Sequence, residues 1–156
     1  MLAAISVGLY LGVSADEANR ALANYVPSNN RSQLEETAHN KLIMDAYNAN
    51  PTSMSVALNN LNDMEVPHKM AILGDMLELG AASAEAHQAI VDQLSRLSLD
   101  EVWLVGPEFA RTHCAFRKFN DVDEVMAQLQ NQCPEGRYIL VKGSHGIRLD
   151  KLSQYL

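Results

Sequence analysis

Four short apolar runs punctuate this chain at wide intervals: "KLIMD" at 41–45, "KMAILGD" at 69–75, "EVWLVG" at 101–106 and "RYILVKG" at 137–143. Between them lie segments whose apolar residues recur at helical spacing. Pro51 to Leu61 places Met54, Ala57, Leu58 and Leu61 on one face, and "SAEAHQAIVDQLSRL" places Ala86, Ile90, Leu94 and Leu97 inward. Val122, Val125, Met126 and Leu129 repeat the pattern behind Asp121 and Glu124, a D-x-x-E form of the capping box. Apolar runs without polar alternation are strands covered on both faces, and such strands lie parallel and need long crossovers. The expected fold is therefore α/β and Rossmann-like, a mostly parallel sheet with helices on both faces. Pro107 to Arg111 predicts a short helical turn, and "CAFRKF" a further short strand.

The first 27 residues do not follow this rhythm. "MLAAISVGLYLGV" lacks a positive leading segment and stops well short of the roughly 20 apolar residues that span a bilayer, so it predicts a core helix rather than a membrane insertion. Ser14 and Glu17 make an S-x-x-E capping box for a second helix over about 15–25, which Pro27 ends. "SNNRSQ" reads as the linker. The expected division is a helical stub over 1–27 and an α/β domain over 28–156, and a chain that opens in mid-helix is expected to be a fragment.

Charge narrows the partners. A formal net charge of −7, from 12 Lys+Arg against 19 Asp+Glu, argues against a general nucleic-acid binder, which needs a basic face to neutralise phosphates. Cys114 and Cys133 lack paired spacing, and this usage fits a reducing cytoplasm with inert, buried thiols. His39, His68, His87, His113 and His145 show no H-x-x-x-H or H-E-x-x-H spacing, so no metal ligand is assigned.

In open α/β sheets, ligands sit beyond the carboxyl ends of the strands. The loops leaving those ends are "DAYNANP", "GDMLELG", "GPEF" and "KGSHG". Asp45 can accept from a ribose hydroxyl pair or from the amides of its own loop, and Asn48 and Asn50 each offer donor and acceptor groups to a base or sugar. Pro51 at the first helical position makes Asn50 an N-cap. "LVKGSHGIR" admits two readings: an anion site in which backbone amides act with Lys142 as a point charge, or a glycine-permitted tight turn beside a solvated lysine. Asp75 and Glu78 read as a carboxylate pair or, more simply, as a cap and a solvated charge. Neither G-x-x-x-x-G-K-[ST] nor G-x-G-x-x-G occurs, so any nucleotide phosphates need another holder.

Taken in order, "DAYNANPTSM", "AILGDMLELG", "LVG" and "LVKGSHGIRLDKL" resemble the C-terminal domain of the Mur ligases over nearly the whole chain. "DAYNANP" followed by "GDMLELG" is the specific part of that resemblance. It implies that residues 1–27 are the remnant of the central ATP-binding domain, and that 28–156 are the C-terminal domain of an ATP- and Mg2+-dependent enzyme of cytoplasmic peptidoglycan synthesis. The implied reaction joins D-alanyl-D-alanine to a UDP-N-acetylmuramoyl-tripeptide. ATP activates the tripeptide carboxylate as an acyl phosphate, which the dipeptide amine attacks through a tetrahedral intermediate.

By the same resemblance, Arg31 matches the junction arginine that approaches the nucleotide, Asp45 the aspartate that binds its ribose, and Asn48 and Asn50 the loop on its adenosine side. Lys142, Gly143 and Ser144 match the loop that faces the incoming dipeptide. His145 stands where relatives commonly carry arginine, and an imidazole cannot reproduce the guanidinium fork. "SNNR" likewise departs from the commoner "PGR". Phosphate and metal ligands belong, in that family, to the central domain, so the chain alone is expected to be inactive and no catalytic residue is assigned to it. Two other readings remain: a different Mur-type or folylpolyglutamate-type amide ligase, and a stand-alone Rossmann-like nucleotide-binding module.

Overall fold

The computed structural model describes residues 2–23 and 33–156. Helix α1 (Leu2–Tyr10) and helix α2 (Ala15–Ala23) form a hairpin. The predicted capping box is present, with Ser14 N–H donating to Glu17 Oε2 at 3.0 Å and Glu17 N–H to Ser14 Oγ at 3.3 Å. Burial departs from expectation. Val7, Leu9, Tyr10, Leu11 and Val13 are exposed, so α1 is not a core helix among the described residues. A segment that is apolar all round needs cover on every side, and α2 supplies one side only, where Ala4, Ile5, Gly8 and Val13 face Ala18, Ala21 and Leu22. Asn24, Tyr25, Pro27 and the "SNNR" linker with Arg31 lie outside the described residues.

The remainder is a six-stranded sheet, β1 (Gln33–Glu36), β2 (Lys41–Asp45), β3 (Lys69–Gly74), β4 (Glu101–Val105), β5 (Arg117–Phe119) and β6 (Tyr138–Lys142), in the order β1-β2-β6-β3-β4-β5. Five strands are parallel, as the apolar runs predict, and β1 alone is antiparallel to its neighbour. The sequence reading missed β1. Its residues QLEE carry one apolar side chain, Leu34, which is exposed at the sheet edge, so no hydrophobic pattern announces it.

Side chains alternate across the sheet with period two and split the core into two layers. Leu42, Met44, Met70, Ile72, Ile139 and Val141 face helix α6 (Val122–Asn131) and the 3₁₀ segment Leu149–Gln154. Ala71, Leu73, Leu104 and Leu140 face helices α3 (Pro51–Asp63), α4 (Ser83–Leu94) and α5 (Pro107–Ala110). At the opposite end from the glycine-rich loops, buried Asn40 ties the termini of the sheet: its Nδ2 donates to Pro134 O at 2.7 Å and Leu156 O at 2.6 Å, while Oδ1 accepts from Arg137 N–H.

Helix α6 begins at Asp121, whose side chain accepts from Glu124 N–H at 3.0 Å. The return half of the predicted box is displaced by one residue, because Glu124 reaches the backbone and side-chain amides of Asn120, both at 2.7 Å, rather than the N-cap itself.

Candidate functional site at the carboxyl rim of the sheet

Parallel strands end on one side, so the loops after β2, β3, β4 and β6 converge there. β2 and β6 pair in register with Asp45 opposite Lys142. In β6 the alternation that sends Leu140 toward the α3 layer sends Lys142 the same way, where its ammonium donates to Asp45 Oδ2 at 2.6 Å and to Asn48 O at 3.2 Å. Lys142 is buried, so it is not the solvated lysine of a glycine turn. Nor does it offer an unmatched charge to a ligand, since Asp45 already neutralises it. Asp45 accepts from Lys142 rather than from its own loop amides.

Asp45 also lines an open groove of about 660 Å³ with Asn50, Pro51, Thr52, Ser53, Val56, Ala57 and Asn60. This groove runs along the first turns of α3. Asn50 is the N-cap of that helix: Oδ1 accepts from Ser53 N–H at 2.8 Å and Ser53 Oγ accepts from Asn50 N–H at 3.1 Å, a reciprocal box. Asn48 is exposed and contributes its carbonyl to Lys142. An aspartate with partial solvent access, beside side-chain amide groups, suits the hydroxyls and ring nitrogens of a nucleoside.

The "KGSHG" loop is built by close backbone packing. A Cβ on Gly143 would sit 3.0 Å from Gly74 Cα, tighter than side chains ordinarily pack, so glycine lets the β6 and β3 exits lie side by side without displacing backbone. Ser144 is buried, donating its N–H to Asp75 O at 3.1 Å and accepting Leu77 N–H on Oγ at 2.9 Å. His145 is exposed, its ring 5.9 Å from that of Tyr47, which brings the β6 loop alongside the β2 loop. Of the residues singled out from sequence, Asp45, Asn48, Asn50 and Lys142–His145 therefore share one rim.

The "GDMLELG" loop hides a polar network that sequence reasoning did not assemble. Asp75 is fully buried, and its carboxylate caps α5 from a neighbouring strand, accepting the N–H groups of Glu108 and Phe109, both at 2.9 Å. It does not pair with Glu78. Burial pushes the Asp75 carboxyl above its ordinary range, against the opposing pull of those two amides. Gly106 makes the cap possible: at φ 121° a Cβ there would lie 2.4 Å from Asp75 Cγ. His87, also fully buried, accepts Met76 N–H on Nε2 at 3.0 Å, and its Nδ1 lies 2.7 Å from Ser83 O, so the ring hydrogen is on Nδ1. Ser83 Oγ donates to Glu108 Oε2 at 2.6 Å. That bond holds Glu108 below the usual carboxylate range, burial opposing it and Arg111 assisting. One signal was available: His87, Ile90, Val91 and Leu94 fall at i, i+3, i+4 and i+7, the inner face of α4.

Among the described residues no group of three or more His, Cys, Asp or Glu is arranged to hold a metal ion, and no helix is long and apolar enough to cross a membrane. Cys114 and Cys133 are half-buried; burial, aided by the charge of Glu135, pushes the Cys133 thiol up.

The family described as Mur ligase, glutamate ligase domain, matches residues 30–145. The chain is 32% identical to the UDP-N-acetylmuramoyl-tripeptide–D-alanyl-D-alanine ligase of Treponema pallidum over 167 residues, covering 99% of this chain and 36% of that protein. A crystal structure of MurF from Acinetobacter baumannii superposes with a TM-score of 0.79 at 29% identity, covering 94% of this chain and 34% of that one. The MurF ligase of Thermotoga maritima, solved in complex with ADP, shares the fold with a TM-score of 0.79 at 24% identity, over 97% of this chain and 35% of that one. This chain thus spans about a third of the length of these relatives.

Proposed function

The chain belongs to the Mur ligase family, and on that premise we propose that it is the C-terminal part of a cytoplasmic, ATP-dependent ligase joining D-alanyl-D-alanine to UDP-N-acetylmuramoyl-tripeptide in peptidoglycan precursor synthesis. In this reading residues 1–27 are a remnant of the ATP-binding domain and 28–156 are the domain that closes over it. A folylpolyglutamate-type acceptor is not favoured, because relatives named as the dipeptide ligase align along almost the entire chain.

The observation that carries the proposal is the rim itself: Asp45 and the "KGSHG" loop lie side by side, joined through Lys142, with an open groove at the start of α3. On closure, Asp45 accepts the ribose hydroxyls while Asn48, Asn50 and Arg31 line the adenosine. Gly143, Ser144 and His145 face the dipeptide, their backbone set by the buried Lys142 beneath them. Mg2+, held by residues outside this chain, supplies charge neutralisation at the phosphates. The work of these loops is positional: they bring the amine onto the acyl phosphate and exclude water as the domains shut.

The test uses the full-length ligase. Asp45→Ala is expected to raise the KM for ATP, and an unchanged value removes Asp45 from the nucleotide site. Calorimetry on the 156 residues alone is expected to find weak adenine-nucleotide binding or none; tight binding favours a stand-alone module instead. Phosphate release that depends on D-alanyl-D-alanine, compared across other amines, decides the acceptor.

A further inference from the structure

Two successive amides, Met76 and Leu77, lie just past the end of β3, and each is met by one side chain. Met76 N–H donates to His87 Nε2 at 3.0 Å and Leu77 N–H to Ser144 Oγ at 2.9 Å. His87 has no route to solvent. It is fully buried, its Nδ1–H is committed to Ser83 O within the first turn of α4, and its ring stands edge-on to Phe109 with centroids 4.6 Å apart. Its Nε2 accepts from the loop amide and also faces Asp75 Oδ1 at 3.7 Å, beyond hydrogen-bond distance, so the loop amide is its hydrogen-bond partner.

The consequence reaches the rim. Met76 is buried, but Leu77 is exposed and lies over the "KGSHG" loop, so close that a Cβ on Gly146 would be 2.8 Å from Leu77 Cδ1. Asp75, one residue earlier, receives Ser144 N–H on its carbonyl and caps α5 with its carboxylate. The exits of β3, β4 and β6 are thus fastened to one another, and His87 is the fastening that comes from a helix.

We propose that His87 is a positioning residue for the dipeptide amine: acting through Met76, it holds Leu77 and the "GDMLELG" turn against the "KGSHG" loop, so that the two loops form one wall of the acceptor site. It touches no substrate. This rests on the reading of "KGSHG" as the dipeptide loop.

The geometry separates this role from plain core filling, because it requires an acceptor at the position of the ring Nε2. Leucine fills the space without accepting, whereas the glutamine Oε1 falls near that nitrogen. In the full-length ligase, His87→Leu is expected to raise the KM for D-alanyl-D-alanine by about tenfold, the scale of one lost buried hydrogen bond, with the KM for ATP little changed. His87→Gln is expected to restore most of the loss. Hydrogen exchange at the Met76 amide, measured on the same proteins, is expected to be faster in the leucine variant than in the glutamine variant. If His87→Leu fails to fold, His87→Met, which fills the space with only a weak acceptor, is expected to give the same selective rise. Equal exchange at Met76 in the two His87 variants, or ATP and dipeptide constants rising together, overturns the proposal. A wild-type enzyme without dipeptide-dependent phosphate release overturns the ligase reading and the acceptor role with it, while the exchange comparison still decides whether His87 holds the loop.

Discussion

Lys142 Nζ stands 2.6 Å from Asp45 Oδ2, with the lysine side chain 1% exposed and the carboxylate 18% exposed. The pair is asymmetric: one member is sealed into the sheet and the other reaches the groove. Lys142 is therefore better described as the residue that aims Asp45 than as a cation awaiting a ligand.

That asymmetry predicts a ranking. Asp45→Ala strands a buried ammonium and is expected to destabilise the chain by about 3–5 kcal/mol. Lys142→Met leaves a carboxylate that water can still reach, and is expected to cost less. Urea unfolding of the two variants measures the order, and an inverted order contradicts the burial assigned to Lys142. In the full-length ligase both variants are expected to raise the KM for ATP.

A methyl group at residue 106 tests the cap on α5. Gly106→Ala forces a side chain onto Asp75 at a backbone conformation that L-residues avoid. A loss of about 3 kcal/mol or more is expected in thermal or denaturant unfolding. A variant of wild-type stability shows that Asp75 is not held where the structure has it.

The raised Asp75 carboxyl gives a pH signature. An acid that holds its proton more tightly folded than unfolded contributes stability at low pH, and that contribution is lost as pH rises through its folded value. Relative to Asp75→Asn, the wild type is therefore expected to lose stability as pH climbs above the ordinary value of 3.8, and then to level off. Glu108 runs the other way, its contribution complete above its ordinary value of 4.5 and lost as pH falls from there through the lowered folded one. Unfolding free energies across a pH series check the difference curve; a difference that grows with pH contradicts the burial effect.

Asn50 separates capping from recognition. Asn50→Ala is expected to cost about 1 kcal/mol through the lost cap. Asn50→Asp retains the acceptor and suits the helix dipole, so stability is expected to hold. The aspartate removes the amide donor from the groove, and the KM for ATP of the full-length enzyme is expected to rise. An unchanged KM leaves Asn50 with its capping duty alone.

The parallel strands were legible in the sequence because burial on both faces leaves no room for polar alternation, and the helices because their apolar stripes face one layer. β1 was not legible: an edge strand has no second neighbour and no buried side chain to mark it. The convergence of the loops on one rim could be read from the strand pattern, but the partners inside them could not. Asp45 to Lys142 and Asp75 to α5 are contacts across 97 and 33 residues of chain, set by strand order, which local spacing does not encode. The exposure of α1 was misjudged because an apolar composition states what a helix needs, not whether a covering surface is at hand.

β6, last of the strands along the chain, sits between β2 and β3. β2 and β3 each pair with β6 and not with one another, so the two halves of the sheet are joined through a segment nearly a hundred residues after the first of them. The rim therefore depends on the same wedge that joins the sheet, since β6 and its loop also deliver Lys142 to Asp45 and Ser144 to Leu77.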